Sequence, residues 1–332
     1  MPENKSLQQT FLELVKQKHE YSGGFADDLA ELLCISKDSA YRRIRGETPL
    51  QFDEIQKLSL HYDISIDHLL HVDNSVISFV NRTINYNDYT LKEYLISVHE
   101  DLDIALHQKI NRLIFAAKDI PPFHFFQFEE LTHFKLYFWL QNLVRSEELK
   151  DANYSREIIS EEILGITRSI WEKYVNIPVT EIWSDESVNV LLRHIMYYYE
   201  SGKVSRDQAR TLVEEYRELI RHIKGQAEHG KKYYFGRPES GAAGSYKLYY
   251  NELSISDNTI FYDMEGVKAT FITYNMLNTL HTTDEVFSQN VEHHLDTVMK
   301  KSSLISSASE KTRNQVFNLM EKKVDEVWEK LK

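Results

Sequence analysis

The chain has 332 residues, enough for two domains with substantial cores. Hydrophobic residues make up 42% of it and charged residues 27%, a composition typical of globular rather than disordered proteins. Its 39 basic and 51 acidic residues give a net charge of −12, so binding to nucleic acid would have to depend on a local basic face.

Membrane and export signals are not evident. The densest apolar run, 136–140, is far shorter than the roughly 18 residues that a spanning helix needs. The first ten residues contain no apolar segment after a basic one, so we expect no signal peptide. The single cysteine, Cys34, excludes an internal disulfide and fits a reducing cytoplasm, the location we predict.

The chain begins with a predicted helix at 5–20, in which Leu7, Phe11, Leu14 and Val15 share one face. Residues 21–24 contain two glycines and end it.

A second helix follows, with Leu29, Ala30 and Leu33 along one apolar edge. The small side chain of Ala30 would allow another helix to cross closely. Ile35 is the expected apolar anchor of a tight turn, and Ser36 the expected N-cap of the next helix.

That third helix is predicted from Lys37 to Arg45, ending at Gly46. Only Ala40 and Ile44 are apolar in it, so the other side chains should face outward. Residues 36–46 contain four cations and one acid, a net charge of +3. A helix with so small an apolar face is a poor core element, whereas its cations suit the major groove of DNA.

The stretch Leu29–Leu70 resembles the Cro/repressor-type (XRE-like) helix-turn-helix proteins. Its tail PLQFDEIQKLSLHYDISIDHLL is similar to the fourth helix and closing segment of that family, and SKDSAYRRIRGETPLQFDEI resembles the BetR domain of some bacterial regulators. The resemblance covers residues 8–71. It implies a DNA-binding domain whose half-sites lie about one helical turn apart.

Three departures from the family pattern bear on the site. Cys34 stands where the family usually has glycine, so either a side chain adopts the left-handed backbone or the turn differs. Arg43 stands where the family usually buries an apolar residue, a role expected here of Ile44. Asp27 and Asp28 occupy a helix start that often touches phosphate in the family, and their charge argues against that contact.

We expect Lys37, Asp38 and Tyr41 to face bases, with Ser39 within their reach, and Arg42 and Arg45 to face phosphates. The candidate DNA-binding residues are Ser36, Lys37, Asp38, Ser39, Tyr41, Arg42 and Arg45. The alternative is a small helical domain that binds another protein, with its cations merely solvated.

Residues 72–89 are polar and rich in asparagine, and are predicted to be a linker. Thr90 should then cap a helix running over 91–117. Residues 123–139 are dense in aromatics, which favours a helix-bundle core, although a pocket for a flat or acyl ligand is the alternative.

The rest of the chain is predicted as helices and three strands. The expected helices are at 156–175, 185–200, 205–224, 284–300 and 309–332, and the expected strands at 246–253, 259–264 and 267–274. In the last helix, apolar residues from Phe317 to Leu331 recur every three or four positions, which suits either a seam between subunits or docking on the bundle.

Residue types suited to catalysis or metal binding lack the required spacing. The 14 histidines contain no His-x-x-x-His pattern, and Cys34 is expected to be a buried structural thiol rather than a redox sensor. Glu129-Glu130 and Glu161-Glu162 lie on polar helix faces. We therefore predict no catalytic residue, metal site or cofactor, and no enzyme activity.

The sequence as a whole predicts a mainly α fold. It comprises a helix-turn-helix domain at 1–71, a linker at 72–89, and a helical domain at 90–332 with a small three-stranded antiparallel sheet near 246–274. The predicted function is a sequence-specific transcriptional regulator of double-stranded DNA. We expect a homodimer, with a C-terminal domain that senses an unidentified small-molecule or protein effector or holds the dimer together. The alternative is a protein-interaction adaptor.

Overall fold

The computed structural model divides the chain into two compact units, 1–78 and 79–332. The residues that it describes are 6–18, 24–62, 64, 66, 77–82, 90–143, 151–242, 245–253, 255, 257–274 and 276–332. Of the predicted linker 72–89, only 77–82 is described. Residues 63, 65 and 67–71, at the end of the predicted helix-turn-helix segment, lie outside the described residues.

The first unit is helical throughout its described part. Its helices are α1 (Leu7–Gln17), α2 (Phe25–Leu33), α3 (Lys37–Ile44) and α4 (Phe52–Tyr62). Its small core consists of Phe11, Leu12, Val15, Leu29, Leu33, Ala40, Leu58 and Tyr62. Leu12 therefore takes the core position that the sequence assigned to Leu14, and Leu7 is exposed.

The second unit alternates helices and strands. Its helices are α5 (Leu91–His107), α6 (Glu129–Leu143), α7 (Glu161–Tyr174), α8 (Glu186–Glu200), α9 (Arg206–His229), α10 (Glu285–Lys300) and α11 (Glu310–Lys330). Its strands are β1 (Val80–Arg82), β2 (Ile110–Ala117), β3 (Val179–Ser184), β4 (Tyr246–Asn251), β5 (Thr259–Met264), β6 (Val267–Tyr274), β7 (Asn278–Thr282) and β8 (Ser303–Leu304). Short 3-10 turns occur at Pro122–Gln127 and Arg156–Ile158.

These strands form one mixed sheet in the order β1-β7-β6-β5-β2-β3-β4-β8. β2, β3 and β4 are parallel neighbours, whereas the other pairs are antiparallel. Helices α6 and α7 lie between β2 and β3 in the chain, and α8 and α9 lie between β3 and β4. Such crossover helices are what parallel strands require.

The prediction of a mainly α protein with a small three-stranded sheet is therefore wrong. The three predicted strands are present as β4, β5 and β6, but β2 and β3 separate β4 from β5. The sheet that contains them has eight described strands, of which the sequence analysis missed β1, β2, β3, β7 and β8.

β2 was mistaken for the end of a helix. Ile110 and Leu113 continue the helical period of α5, but that helix ends at His107 and Gln108 has extended backbone. Residues 114–117 are all buried, since Ile114 packs toward α10 while Phe115 packs into the larger core on the other face. A strand covered on both faces is a continuous apolar run and lacks the alternation that marks a half-exposed strand.

The larger core encloses a polar cluster. The carboxylate of Glu181, on β3, accepts hydrogen bonds of 2.5 to 3.1 Å from His124, Tyr174, Trp183 and Tyr246. None of the five is more than 1% exposed. Because every carboxylate oxygen is satisfied within the core, the cluster ties β3, β4, α7 and the turn at Pro122–Gln127 together.

The aromatic stretch lies mainly in the core. Most of its members are core residues, as the bundle interpretation predicted: Phe125, Phe126, Phe128, Phe134, Tyr137, Phe138 and Trp139. Phe123 and Phe126 also line cavities, Phe123 an apolar one of about 190 Å³ between α5 and the sheet.

The last helix, α11, docks on its own chain. Phe317, Val324 and Leu331 are fully buried in the larger core, where α11 packs along α9. The apolar residues that recur from Phe317 to Leu331 are therefore not available as a seam between subunits. Among the described residues, no helix is both long and apolar enough to cross a membrane.

Candidate nucleic-acid interface

The turn between α2 and α3 is closed by two backbone hydrogen bonds. The N–H of Cys34 donates to the carbonyl of Glu31 at 3.1 Å, and that of Ile35 to the carbonyl of Ala30 at 2.9 Å. Cys34 has a left-handed backbone, with φ of 55°, which makes this a Schellman motif with a side chain at the usual glycine position. The thiol is exposed, so the expectation of a buried cysteine is wrong.

α3 begins and ends where the sequence predicted, to within one residue. The hydroxyl of Ser36 accepts a hydrogen bond from the N–H of Ser39 at 3.2 Å, which confirms the N-cap. At the other end, Gly46 has φ of 78°, and the N–H of Glu47 donates to the carbonyl of Arg42 at 2.8 Å. α3 is therefore a short helix with both ends fixed.

Its inner side rests on one buried alanine and one ion pair. Ala40 is fully buried. The guanidinium of Arg43 donates to both carboxylate oxygens of Glu54 on α4, at 3.0 and 2.8 Å, and only 11% of the Arg43 side chain is exposed. Ile44 is half-buried beside it. The inward position held by an apolar residue in the family is thus shared by Ile44 and a paired arginine.

Gln8, on α1, fixes the C-terminal end of α3. Its amide nitrogen donates to the carbonyls of Arg43 and Thr48, both at 2.8 Å, and its amide oxygen accepts from the N–H of Leu50 at 2.9 Å. One side chain therefore satisfies three backbone groups at the end of α3 and in the segment that follows it. Gln8 was absent from the candidate site because nothing local in the sequence connects it to residues 35 to 42 positions away.

The outer side of α3 carries the candidate site. Lys37, Arg42 and Arg45 each expose more than half of their side chains, and Tyr41 is 45% exposed. Ser36 and Asp38 are also exposed, while Ser39 is half-buried and its hydroxyl lies 2.9 Å from that of Ser36. The structure thus brings together the seven residues that the sequence selected, on one short helix and its N-cap.

Acidic residues neighbour the exposed cations. Asp27, on α2, lies 2.6 Å from the ammonium of Lys37, and this bond raises the pKa of Lys37. Glu47 lies 2.7 Å from the guanidinium of Arg45 and 3.8 Å from that of Arg42. These ion pairs are solvent-exposed, and such pairs typically contribute only about 0 to 1 kcal/mol. A phosphate group could therefore replace the carboxylates at small cost.

The arrangement of α2, the turn and α3 is that of a helix-turn-helix, and comparison with known families agrees. Residues 23–104 match the BetR domain family. That family is a helix-turn-helix type of DNA-binding domain, and the match supports a DNA-binding regulatory role for the N-terminal part of the chain.

The BetR match covers about a quarter of the chain. It begins just before α2, contains α3 and α4, and ends inside α5 of the second unit. The resemblance identified from the sequence covers residues 8–71, so it begins and ends before the BetR match does. Searches of curated proteins and of solved structures gave no significant match.

The side chains considered as metal ligands are dispersed in the part of the chain that the structure describes. Within the described ranges, no group of three or more His, Cys, Asp or Glu side chains has the geometry to hold a metal ion. The polar cluster around Glu181 is sealed in the core and reaches no solvent.

Proposed function

We propose that the protein is a sequence-specific transcriptional regulator of the XRE-like type, which reads double-stranded DNA with α3. The observation that carries the proposal is that α3 exposes Lys37, Tyr41, Arg42 and Arg45 within the BetR-type region, while Ala40 and the Arg43–Glu54 pair hold its other side. A helix presented in this way fits the major groove, where its N-terminal residues meet base edges and later cations meet phosphates.

The test begins with selection of bound sequences from random double-stranded DNA by the full-length protein, followed by gel-shift titration. An enriched palindromic sequence supports the proposal. Lys37→Ala should then change which base pairs are preferred, whereas Arg42→Ala should weaken binding to all sequences and lower the salt slope by about one. Equal losses for both variants on every sequence would contradict this division between base and phosphate contacts.

We also propose that the regulator acts as a cytoplasmic homodimer. Two readers would recognise two half-sites about one helical turn apart. Because the apolar face of α11 is buried in its own chain, the dimer contact would use another surface. Sedimentation velocity over a range of protein concentrations should show a species of twice the monomer mass. The second unit would hold the dimer or sense an effector, and we assign no catalytic activity to it.

The second candidate function is a protein-interaction adaptor. Lys37 and Arg45 already form ion pairs with Asp27 and Glu47. A solvated helix face that binds no DNA would show the same pairs, and this favours the adaptor. The same selection distinguishes the two functions, because no sequence enrichment even at low salt would support the adaptor.

A further inference from the structure

The second unit contains a cavity of about 350 Å³, here called the Trp171 cavity. It lies between the turn at Pro122–Gln127, helices α6 and α7, and the segment that follows α9. Three aromatic side chains line it: Phe126, Trp171 and Tyr234. The rings of Trp171 and Tyr234 meet edge to face, with centroids 6.4 Å apart. Its size falls at the lower end of the range of small-molecule sites.

Two buried hydrogen-bond donors on its lining residues are unsatisfied within the described part of the chain. They are the indole Nε1 of Trp171, a residue only 3% exposed, and the amide Nε2 of Gln127. The amide oxygen of Gln127 already accepts a hydrogen bond of 2.8 Å from the N–H of Phe235, which fixes the orientation of the amide. Buried donors of this kind are unusual in proteins and call for an acceptor.

The rim of the Trp171 cavity is acidic. Three glutamates line it against a single arginine, Arg168, which lies 3.1 Å from the carboxylate of Glu161. Glu129 is paired with Arg156, outside the lining. No ion pair is found for Glu172 among the described residues. Burial of Tyr234 raises the pKa of its hydroxyl, and the charge of Glu172 raises it further. The carboxylate of Glu172 is therefore near the aromatic wall.

We propose that the Trp171 cavity binds a small organic cation that also carries a hydrogen-bond acceptor. Glu172 attracts the positive charge, which lies against the rings of Trp171 and Tyr234, where aromatic faces favour cations. The acceptor of the ligand receives the N–H groups of Trp171 and Gln127, which are covered in the free chain and become reachable when the neighbouring side chains shift. An anionic ligand is disfavoured by the rim. As a binding site the cavity does not depend on DNA binding, and only its role as an effector site rests on the proposed function.

The first experiment titrates three probes into the full-length protein by isothermal calorimetry. The probe 1-methylnicotinamide has both a permanent charge and a carboxamide acceptor, nicotinamide has only the acceptor, and N-methylpyridinium has only the charge. We expect one site per chain and an affinity for 1-methylnicotinamide at least tenfold tighter than for the other two. No binding of 1-methylnicotinamide at millimolar concentration, or equal binding of nicotinamide, would overturn the proposal.

Variants then locate the site. Glu172→Gln removes an exposed charge, so the fold should persist; it should weaken 1-methylnicotinamide about tenfold and leave nicotinamide unchanged. Glu326→Gln makes the same change at an exposed position of α11 and should alter neither. Trp171→Phe keeps an aromatic ring without the N–H, and should weaken the two carboxamide probes more than N-methylpyridinium, which loses only part of the attraction of its charge to the ring.

An unchanged affinity of the Glu172→Gln variant for 1-methylnicotinamide would refute this location. Equal losses for all three probes in Trp171→Phe would refute the role of its N–H. The titrations contain no DNA, so they are unaffected by the outcome of the DNA selection.

Discussion

Glu47 competes with DNA for two of the cations of α3. Its carboxylate neighbours both Arg42 and Arg45, the two residues proposed to face phosphates. A bound phosphate must displace it or share the arginines with it. The acidic residue thus lowers the attraction of α3 for any duplex, while bonds from Lys37 and Tyr41 to the right bases remain unaffected. Glu47 would therefore increase discrimination at the expense of affinity.

We expect Glu47→Gln to raise affinity for random-sequence DNA by about fivefold at low salt, because the arginines lose their internal partner. Preference for the selected sequence over random DNA should fall. Fluorescence anisotropy at several salt concentrations measures both. Glu31→Gln removes the same charge from an exposed site on α2 and should have a smaller effect; an equal effect would mean that net charge alone matters.

Cys34 bears backbone strain that glycine would relieve. A left-handed backbone costs a residue with a Cβ about 1 kcal/mol more than glycine. We therefore expect Cys34→Gly to stabilise the first unit by about 0.5 to 1 kcal/mol and Cys34→Val to destabilise it. Hydrogen exchange of the α2 and α3 amides in the full-length protein measures the change. Faster exchange in Cys34→Gly would show that the turn gains nothing from glycine.

At the scale of elements, the orientation of α3 depends on α1. Gln8→Ala removes three hydrogen bonds to the end of α3 and the segment after it, leaving the carbonyls of Arg43 and Thr48 without this donor. We expect a loss of about 1 to 3 kcal/mol in the stability of the first unit and weaker binding to DNA. Gln17→Ala, at an exposed position of the same helix, should change neither. Hydrogen exchange and anisotropy titration of both variants provide the comparison.

Elements whose boundaries are set by local chemistry could be predicted from the sequence. Thr90 caps α5 as expected, Ser205 caps α9 at the predicted start of that helix, each within a capping box, and Gly46 ends α3. The outward direction of Lys37, Arg42 and Arg45 was also predictable, because few residues of α3 are apolar enough to face inward. Arg43, which was expected to face outward as well, faces inward instead. Local signals of this kind depend on residues within one turn of each other.

Strands and contacts between distant residues could not be predicted in the same way. Residues 114–117 of β2 and most of β3 are buried on both faces, so their apolar residues do not alternate, and their partners lie dozens of residues away. For the same reason, the bond between Gln8 and the end of α3 and the pair between Arg43 and Glu54 were missed. Each is fixed only when separate elements pack together.

At the scale of the whole molecule, a buried lysine links stability to pH. Lys232 is fully buried, and its ammonium donates to the carbonyl of Ile177 at 2.7 Å and lies 3.6 Å from the ring centre of Tyr174. Burial lowers its pKa to about 7, although the charge of Glu181 opposes that shift. Unfolding restores an ordinary lysine, with a pKa near 10.5.

Between these two values the unfolded chain binds a proton that the folded chain does not, so stability should rise with pH. We expect a rise of about 2 to 4 kcal/mol from pH 7 to 10. Buried tyrosines such as Tyr246, whose pKa burial raises well above 10, oppose this only at higher pH. Urea unfolding followed by near-ultraviolet circular dichroism measures the profile.

Lys232→Met should abolish this rise, because it keeps the length of the side chain without the titrating group. Lys231→Met, at the half-buried neighbouring position, should retain it. A rise of the same size in Lys232→Met would assign the effect to another group.

The single thiol of the chain lies in one unit and its four tryptophans in the other. Because Cys34 is exposed at the start of the turn before α3, a maleimide dye would attach at one known position beside the proposed DNA face. Indole emission would report on the second unit alone. The unaltered chain therefore offers two separate optical signals, with which duplex capture and ligand uptake can be followed in the same cuvette.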